Sequence, residues 1–140
     1  MTQRRLAREC ALEVLYRLDL VGDDPARVIE EILARKNPSD EAEVYLRRIV
    51  DAVVAGQLEL DAILRRHLKR WRLERLTVLD RAILRMAAAE LLHFADVPPK
   101  VAINEAVDVA KKFGDDDAGR FVNGVLDSLY REAHGGKAPE

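Results

Sequence analysis

A second cysteine is missing from this chain: its 140 residues contain only Cys10, so no internal disulfide can hold the fold together. No apolar run approaches the ~20 residues that a bilayer-spanning helix needs, and no signal peptide is visible at Met1, so the expected location is the cytoplasm. Net charge is only −2, which removes any overall electrostatic pull toward nucleic acid. A basic site would have to come from local clustering. There is no phosphate-cradling glycine loop, nucleophile triad or clustered ligand set, so the expectation is a non-enzyme with no metal and no cofactor. What the chain does have is hydrophobic content, 49%, which argues against disorder. Its length suits one domain or a tightly joined pair of small bundles.

The apolar residues recur at helical spacing throughout. In the first segment, from about Gln3 to Leu20, Leu6, Cys10, Ala11, Val14, Leu15 and Leu18 form a stripe. At ~100° per residue Arg4, Arg5 and Arg8 fall in one arc beside it, a compact cationic edge at a helix N-terminus. Such charge opposes the helix dipole, and a bound phosphate would reverse the sign. Asp24 and Pro25 open a short second helix, with an N-cap followed by proline at the first helical position. A third carries Ile49, Val50, Val53 and Val54 past Gly56 to Leu58 or beyond. From Leu60 to Leu76 basic residues surround Trp71, with Leu64, Leu68, Trp71 and Leu73 read as anchors of a connecting helix whose charges stay in water. Thr77 and Asp80 have capping-box spacing and open a helix reaching about Phe94.

The stretch from Val97 to Tyr130 reads as two antiparallel helices around a tight acidic turn. Ile103, Ala106, Val107, Ala110 and Phe113 line the first; Phe121, Val122, Val125, Leu126 and Leu129 line the second. Gly114 stops one helix, and Asp115, Asp116 and Asp117 supply N-cap oxygens and favourable charge for the next. Asn104, Glu105, Asn123 and Gly124 are not what a plain amphipathic hairpin needs. A glycine inside a helix costs roughly 1 kcal/mol relative to alanine, and close approach of another backbone at Gly124 is one way to offset it. Solvated asparagines are the alternative. Cys10 falls in the buried stripe without a base tied to it, as a packing residue would. Tyr16 points away from that stripe.

Four segments carry a family resemblance. RRLARECALEVLY, LDRAILRMAAAELL, VPPKVAINEAVDVAKKFG and RFVNGVLD, in this order between Arg4 and Asp127, resemble the NusB family of bacterial transcription antitermination factors. The resemblance implies an all-α fold of two packed helical subdomains. Applied here, residues 1–58 form an N-terminal three-helix bundle, 59–76 a connecting helical segment, 77–132 a C-terminal helical subdomain and 133–140 a flexible tail. It further implies an RNA-binding factor that joins NusE, a small-subunit ribosomal protein, on boxA-type single-stranded RNA in nascent rRNA transcripts. The RNA polymerase antitermination complex is the larger partner, with no membrane involved.

Carried over position by position, the resemblance assigns RNA contact to Arg4, Arg5 and Arg8, with Phe121 as an aromatic near RNA. Lys111 and Lys112 extend that side as candidate phosphate contacts. Leu6 stands where other members can carry a further arginine. Tyr16 and Asp80 match positions at the protein partner, and Asp117 a position that tunes RNA affinity. The carboxylate of Asp117 beside an RNA path should weaken phosphate binding. Two other readings stay open: an RNA-recognition module like that of certain rRNA cytosine methyltransferases, for which the chain to Glu140 leaves no cofactor domain, and a self-associating helical protein whose homodimer covers the RNA site.

Overall fold

The structure, a computed structural model, describes residues 2–140. Among them lie six α-helices and no strand: α1 (Gln3–Val21), α2 (Pro25–Lys36), α3 (Asp40–His67), α4 (Val78–His93), α5 (Pro99–Phe113) and α6 (Asp116–Ala133). A single 3-10 turn, Leu73–Arg75, precedes α4. The starts follow from capping chemistry. Thr2, Asp24, Ser39, Thr77 and Asp115 each accept a hydrogen bond from a backbone N–H in the first turn of the helix they open. Pro98 and Pro99 open α5 without a side-chain cap. Gly22 and Asn37 end α1 and α2 in the left-handed conformation.

Helix α4 is the axis of the molecule. Every residue from Ala82 to Glu90 is buried, because α1, α3, α5 and α6 all pack on it. Ala87, Ala88 and Ala89 let those neighbours approach closely. Helices α1–α3 make one layer, the antiparallel α5–α6 pair the other, and α4 joins them, which is the expected pair of packed helical subdomains. Helix α3 continues beyond Leu58 to His67, 28 residues and about 42 Å. Leu60 and Leu64 resume the stripe of Ile49 and Val53, so Gly56 does not end it. The connecting segment is therefore divided: residues up to His67 complete α3, and Leu68–Arg72 are irregular before the 3-10 turn.

That irregular stretch corrects one expectation. Without a helix through residue 71, Trp71 is not turned inward with Leu64 and Leu73, and it is 60% exposed. Phe113, at the last turn of α5, is likewise exposed rather than part of the buried face. Asn104, Asn123 and Gly124 all face solvent, and a Cβ added at Gly124 would meet nothing within 4 Å. Nothing among the described residues uses the close approach that Gly124 permits.

Two buried ion networks fasten α4 to α1 and α3. The Arg8 guanidinium of α1 donates through Nε and Nη2 to the Glu90 carboxylate at 2.9 and 2.8 Å, and the Tyr45 hydroxyl of α3 donates to the same group at 2.6 Å. Arg8 and Glu90 are 3% and 2% exposed. Burial and the neighbouring carboxylate push the Tyr45 hydroxyl far above its ordinary pKa. About one and a half turns toward the start of α4, Arg85 donates to both oxygens of Asp61 of α3 at 2.8 and 2.9 Å. Breaking a buried pair leaves a charge with neither partner nor water. We expect Glu90→Gln to cost about 3 kcal/mol in urea unfolding, and Arg8→Met with Glu90→Leu together to recover most of that loss. A cost under about 1 kcal/mol would place Arg8 and Glu90 in contact with water.

A candidate nucleic-acid interface

The residues that could meet a polyanion gather where α1, α5 and the start of α6 come together. Arg5 of α1 lies against α5, its Nε donating to Glu105 and its Nη2 to Asp108, both at 2.9 Å. Those carboxylates, Glu105 foremost, raise the Arg5 pKa. Glu105 thereby has a structural explanation that periodicity alone does not supply. In the opposite direction Lys112 of α5 donates to Glu9 of α1 at 2.9 Å. Between the two helices runs an open groove of about 430 Å³ lined by Arg5, Glu9, Asp108, Lys111 and Lys112.

Lys111 has no carboxylate within salt-bridge distance among the described residues. Its stem crosses α6 at Gly119, where a Cβ would stand 2.8 Å from Lys111 Cγ. The glycine is what lets the lysine lie flat between the two helices. Arg4 sits apart at the N-terminal end of α1. Its Nη2 donates to Asp96 at 2.8 Å and its guanidinium lies 4.5 Å from the centre of the Tyr45 ring. Arg48 shares Asp96 at 2.6 Å, and these two cations, Arg48 first, hold the Asp96 carboxyl well below the usual carboxylate range.

Arg8 does not share this surface. The expectation of one exposed edge made by Arg4, Arg5 and Arg8 is corrected by the fold: one turn deeper along α1 the same face is covered by α3 and α4, and Glu90 waits there as a buried partner. Arg8 orients α1 from inside the core, where no phosphate reaches it.

The other candidates form two further groups. At the start of α6, Asp115 caps the helix through the Ala118 N–H at 2.8 Å and Asp117 pairs with Arg120. Phe121 is half-buried against the core, and with Asp117, Asp80 and Trp71 it lines an open cavity of about 370 Å³. Asp80 is partly buried there, and its pKa is raised chiefly by that burial, with Asp115 adding to the effect. Tyr16 is 38% exposed and lines a smaller apolar cavity of about 170 Å³ with Leu12, Leu79 and Phe113. Phe113 belongs to this face and was hidden by its spacing, which matches the buried stripe; its position in the last turn of α5, just before Gly114, was the available signal. Cys10 is buried, and burial pushes its thiol pKa up, as a packing residue requires.

Comparison with known proteins gives these groups a context. The model of the NusB family matches residues 5–131. A protein from Bacillus mycoides (strain KBAB4), transcription antitermination protein NusB, is 40% identical over 128 residues, covering 91% of this chain and 96% of its own. A chain in a crystal structure of a plectonemic RNA supercoil superposes with a TM-score of 0.91 at 37% identity, covering 98% of this chain and 100% of the other. A chain from the crystal structure of antitermination factors NusB and NusE in complex with double-stranded RNA gives a TM-score of 0.87 at 37% identity, covering 94% and 98%.

The depressed Asp96 pKa sets a pH dependence. A carboxylate whose folded pKa lies below its unfolded value stabilises the fold above the unfolded value, and that contribution disappears as pH falls through the folded one. Solvent screening at this exposed site keeps the effect small. The stability difference between the unaltered chain and Asp96→Asn, read from urea unfolding, should be constant near neutral pH and close progressively in acid. A difference that stays the same in acid would show that Asp96 is not held by Arg4 and Arg48.

Proposed function

The chain belongs to the NusB family, and from that membership we propose that it works as an RNA-binding antitermination factor that joins NusE on boxA-type single-stranded RNA in nascent rRNA transcripts. The observation that supports this most is the gathering of Arg5, Lys111 and Lys112 on one groove. In this reading Arg4, Arg5, Lys111 and Lys112 neutralise phosphates, and Phe121 stacks on an unstacked base. Arg8 contributes by holding α1 in place from the core. Tyr16 faces NusE, Asp80 stands at the edge of that contact on the cavity it shares with Phe121, and the assembly acts within the RNA polymerase antitermination complex in the cytoplasm. No chemistry is catalysed.

The ion pairs of the free protein shape how such binding works. Arg4, Arg5 and Lys112 already hold carboxylates, so a phosphate exchanges one anionic partner for another. Net gain per contact is small, and affinity depends on several contacts and on counterion release. That fits a factor whose grip on RNA tightens when NusE adds its own contacts. The alternative of a homodimer covering the RNA groove is separated by mass measurement in solution with and without RNA.

The test is a fluorescence titration of labelled boxA RNA against a scrambled strand and a duplex, with and without NusE, at several salt concentrations. We expect a boxA preference that sharpens with NusE. Arg4→Ala and Arg5→Ala should each weaken binding and lower the salt slope by about 0.7 per lost phosphate contact, with the fold intact, whereas Arg8→Ala should lose stability. Asp117→Asn removes a carboxylate beside the RNA path, so affinity should rise severalfold. Equal, weak binding to all three RNAs with NusE present would overturn the reading, and an unchanged or weaker Asp117→Asn complex would remove Asp117 from it.

A further inference from the structure

The cavity between the turn before α4 and the start of α6 has walls of an unusual composition. Trp71 is 60% exposed although it is a large aromatic, and neither an aromatic nor a cationic side chain packs on its ring among the described residues. Phe121 lines the same space of about 370 Å³. Three carboxylates, Asp80, Asp115 and Asp117, and one guanidinium, Arg75, complete it; Asp117 is paired with Arg120, whereas Asp80, Asp115 and Arg75 have no opposite charge within salt-bridge distance among the described residues. These charges differ from those of the main groove, where Arg5 and Lys112 are paired.

The chemistry that fits is flat, aromatic and rich in N–H donors on one edge. A phosphate is repelled by the three carboxylates. An aliphatic group would leave Asp80 and Asp115 unpaired. Among nucleobases, guanine alone presents two adjacent donors, N1–H and the 2-amino group, which a carboxylate accepts side by side, next to an acceptor, O6, that a guanidinium can meet. Adenine and cytosine place a ring acceptor beside their single amino group, and uracil flanks its one N–H with two carbonyls. We propose that this cavity reads a guanine base of the bound strand, with Trp71 and Phe121 as stacking surfaces, Asp80 and Asp115 as acceptors for its donor edge, and Arg75 as donor to O6. The proposal rests on the RNA-binding reading above. Lys111 supplies the neighbouring phosphate contact, since its stem lies on Gly119, one turn beyond Asp115 in α6. A base delivered by a strand is therefore favoured over a free nucleotide, whose own phosphates would face the carboxylates.

Trp71 is the only tryptophan, so the pocket carries its own reporter. The full chain is titrated with a short uridine-rich single strand containing one guanosine, with the same strand carrying inosine or uridine at that position, and with guanosine monophosphate. Tryptophan emission is followed together with the anisotropy of end-labelled RNA. Guanosine RNA should quench Trp71, and inosine, which lacks the 2-amino group, should bind about tenfold more weakly. Asp80→Asn or Asp115→Asn should abolish that difference; asparagine at 115 still caps α6, so folding is preserved. RNA binding seen by anisotropy with unchanged Trp71 emission, or equal affinity for guanosine, inosine and uridine strands, would overturn the pocket while leaving RNA binding in place. Quenching by guanosine monophosphate equal to that by RNA would overturn delivery by a strand. Absence of binding in both signals would overturn the RNA-binding reading and the pocket with it.

Discussion

The contact between Arg8 and Glu90 is the constraint on which the remaining geometry depends. Two charges with almost no access to water are tolerable only when each satisfies the other, and Tyr45 adds a third partner to the same carboxylate. The arrangement therefore admits one relative placement of α1, α3 and α4. Apolar packing alone would allow α1 to slide or rotate against its neighbours at modest cost, as hydrophobic cores tolerate repacking. A bidentate guanidinium–carboxylate pair does not. Since Arg4, Arg5 and Glu9 lie within one turn of Arg8, fixing Arg8 also fixes the edge that α1 presents to α5.

From that placement the surface follows. Arg5 reaches Glu105 and Asp108, Lys112 reaches Glu9, and the two helices are held side by side by charges of opposite order. These pairs are exposed enough to be weak and exchangeable, in contrast to the core pair. The molecule thus separates two uses of arginine on one helix: Arg8 builds, and Arg4 and Arg5 remain available to a competing anion. On the far side of α5, Gly119 lets α6 approach close enough for Lys111 to lie across it, which brings the acidic start of α6 beside the basic groove.

Much of this was legible in the residues, and the limits were physical. The six helices are announced by period, by the caps Asp24, Thr77 and Asp115, and by the prolines before α5. Helix α3 runs past Gly56 as expected and takes in the first part of the segment read as a separate connecting helix, because its buried stripe continues through Leu60 and Leu64. Arg8 shows where periodicity stops: an angular position on a helix says which way a side chain points, and not whether another helix will cover it. The partner that makes burial tolerable, Glu90, is 82 residues away. Trp71 failed for the opposite reason. Its spacing from Leu64 and Leu68 implied an inward face only if the helix continued, and the helix ends at His67. The Arg5 contacts to Glu105 and Asp108 and the cavity joining Asp80 to Phe121 are tertiary facts, invisible to any local pattern.

The central claim is that RNA takes over the surface cations while the core cation stays with its carboxylate. The most direct measurement is NMR observation of the arginine Nε–H signals in the free protein and in its complex with boxA RNA and NusE. The account predicts that the Arg4 and Arg5 signals move on RNA binding, as Asp96 and Glu105 are exchanged for phosphate, while the Arg8 signal keeps its position and its slow exchange with solvent. An Arg5 signal unchanged in the complex, or an Arg8 signal that shifts and exchanges rapidly, would contradict it.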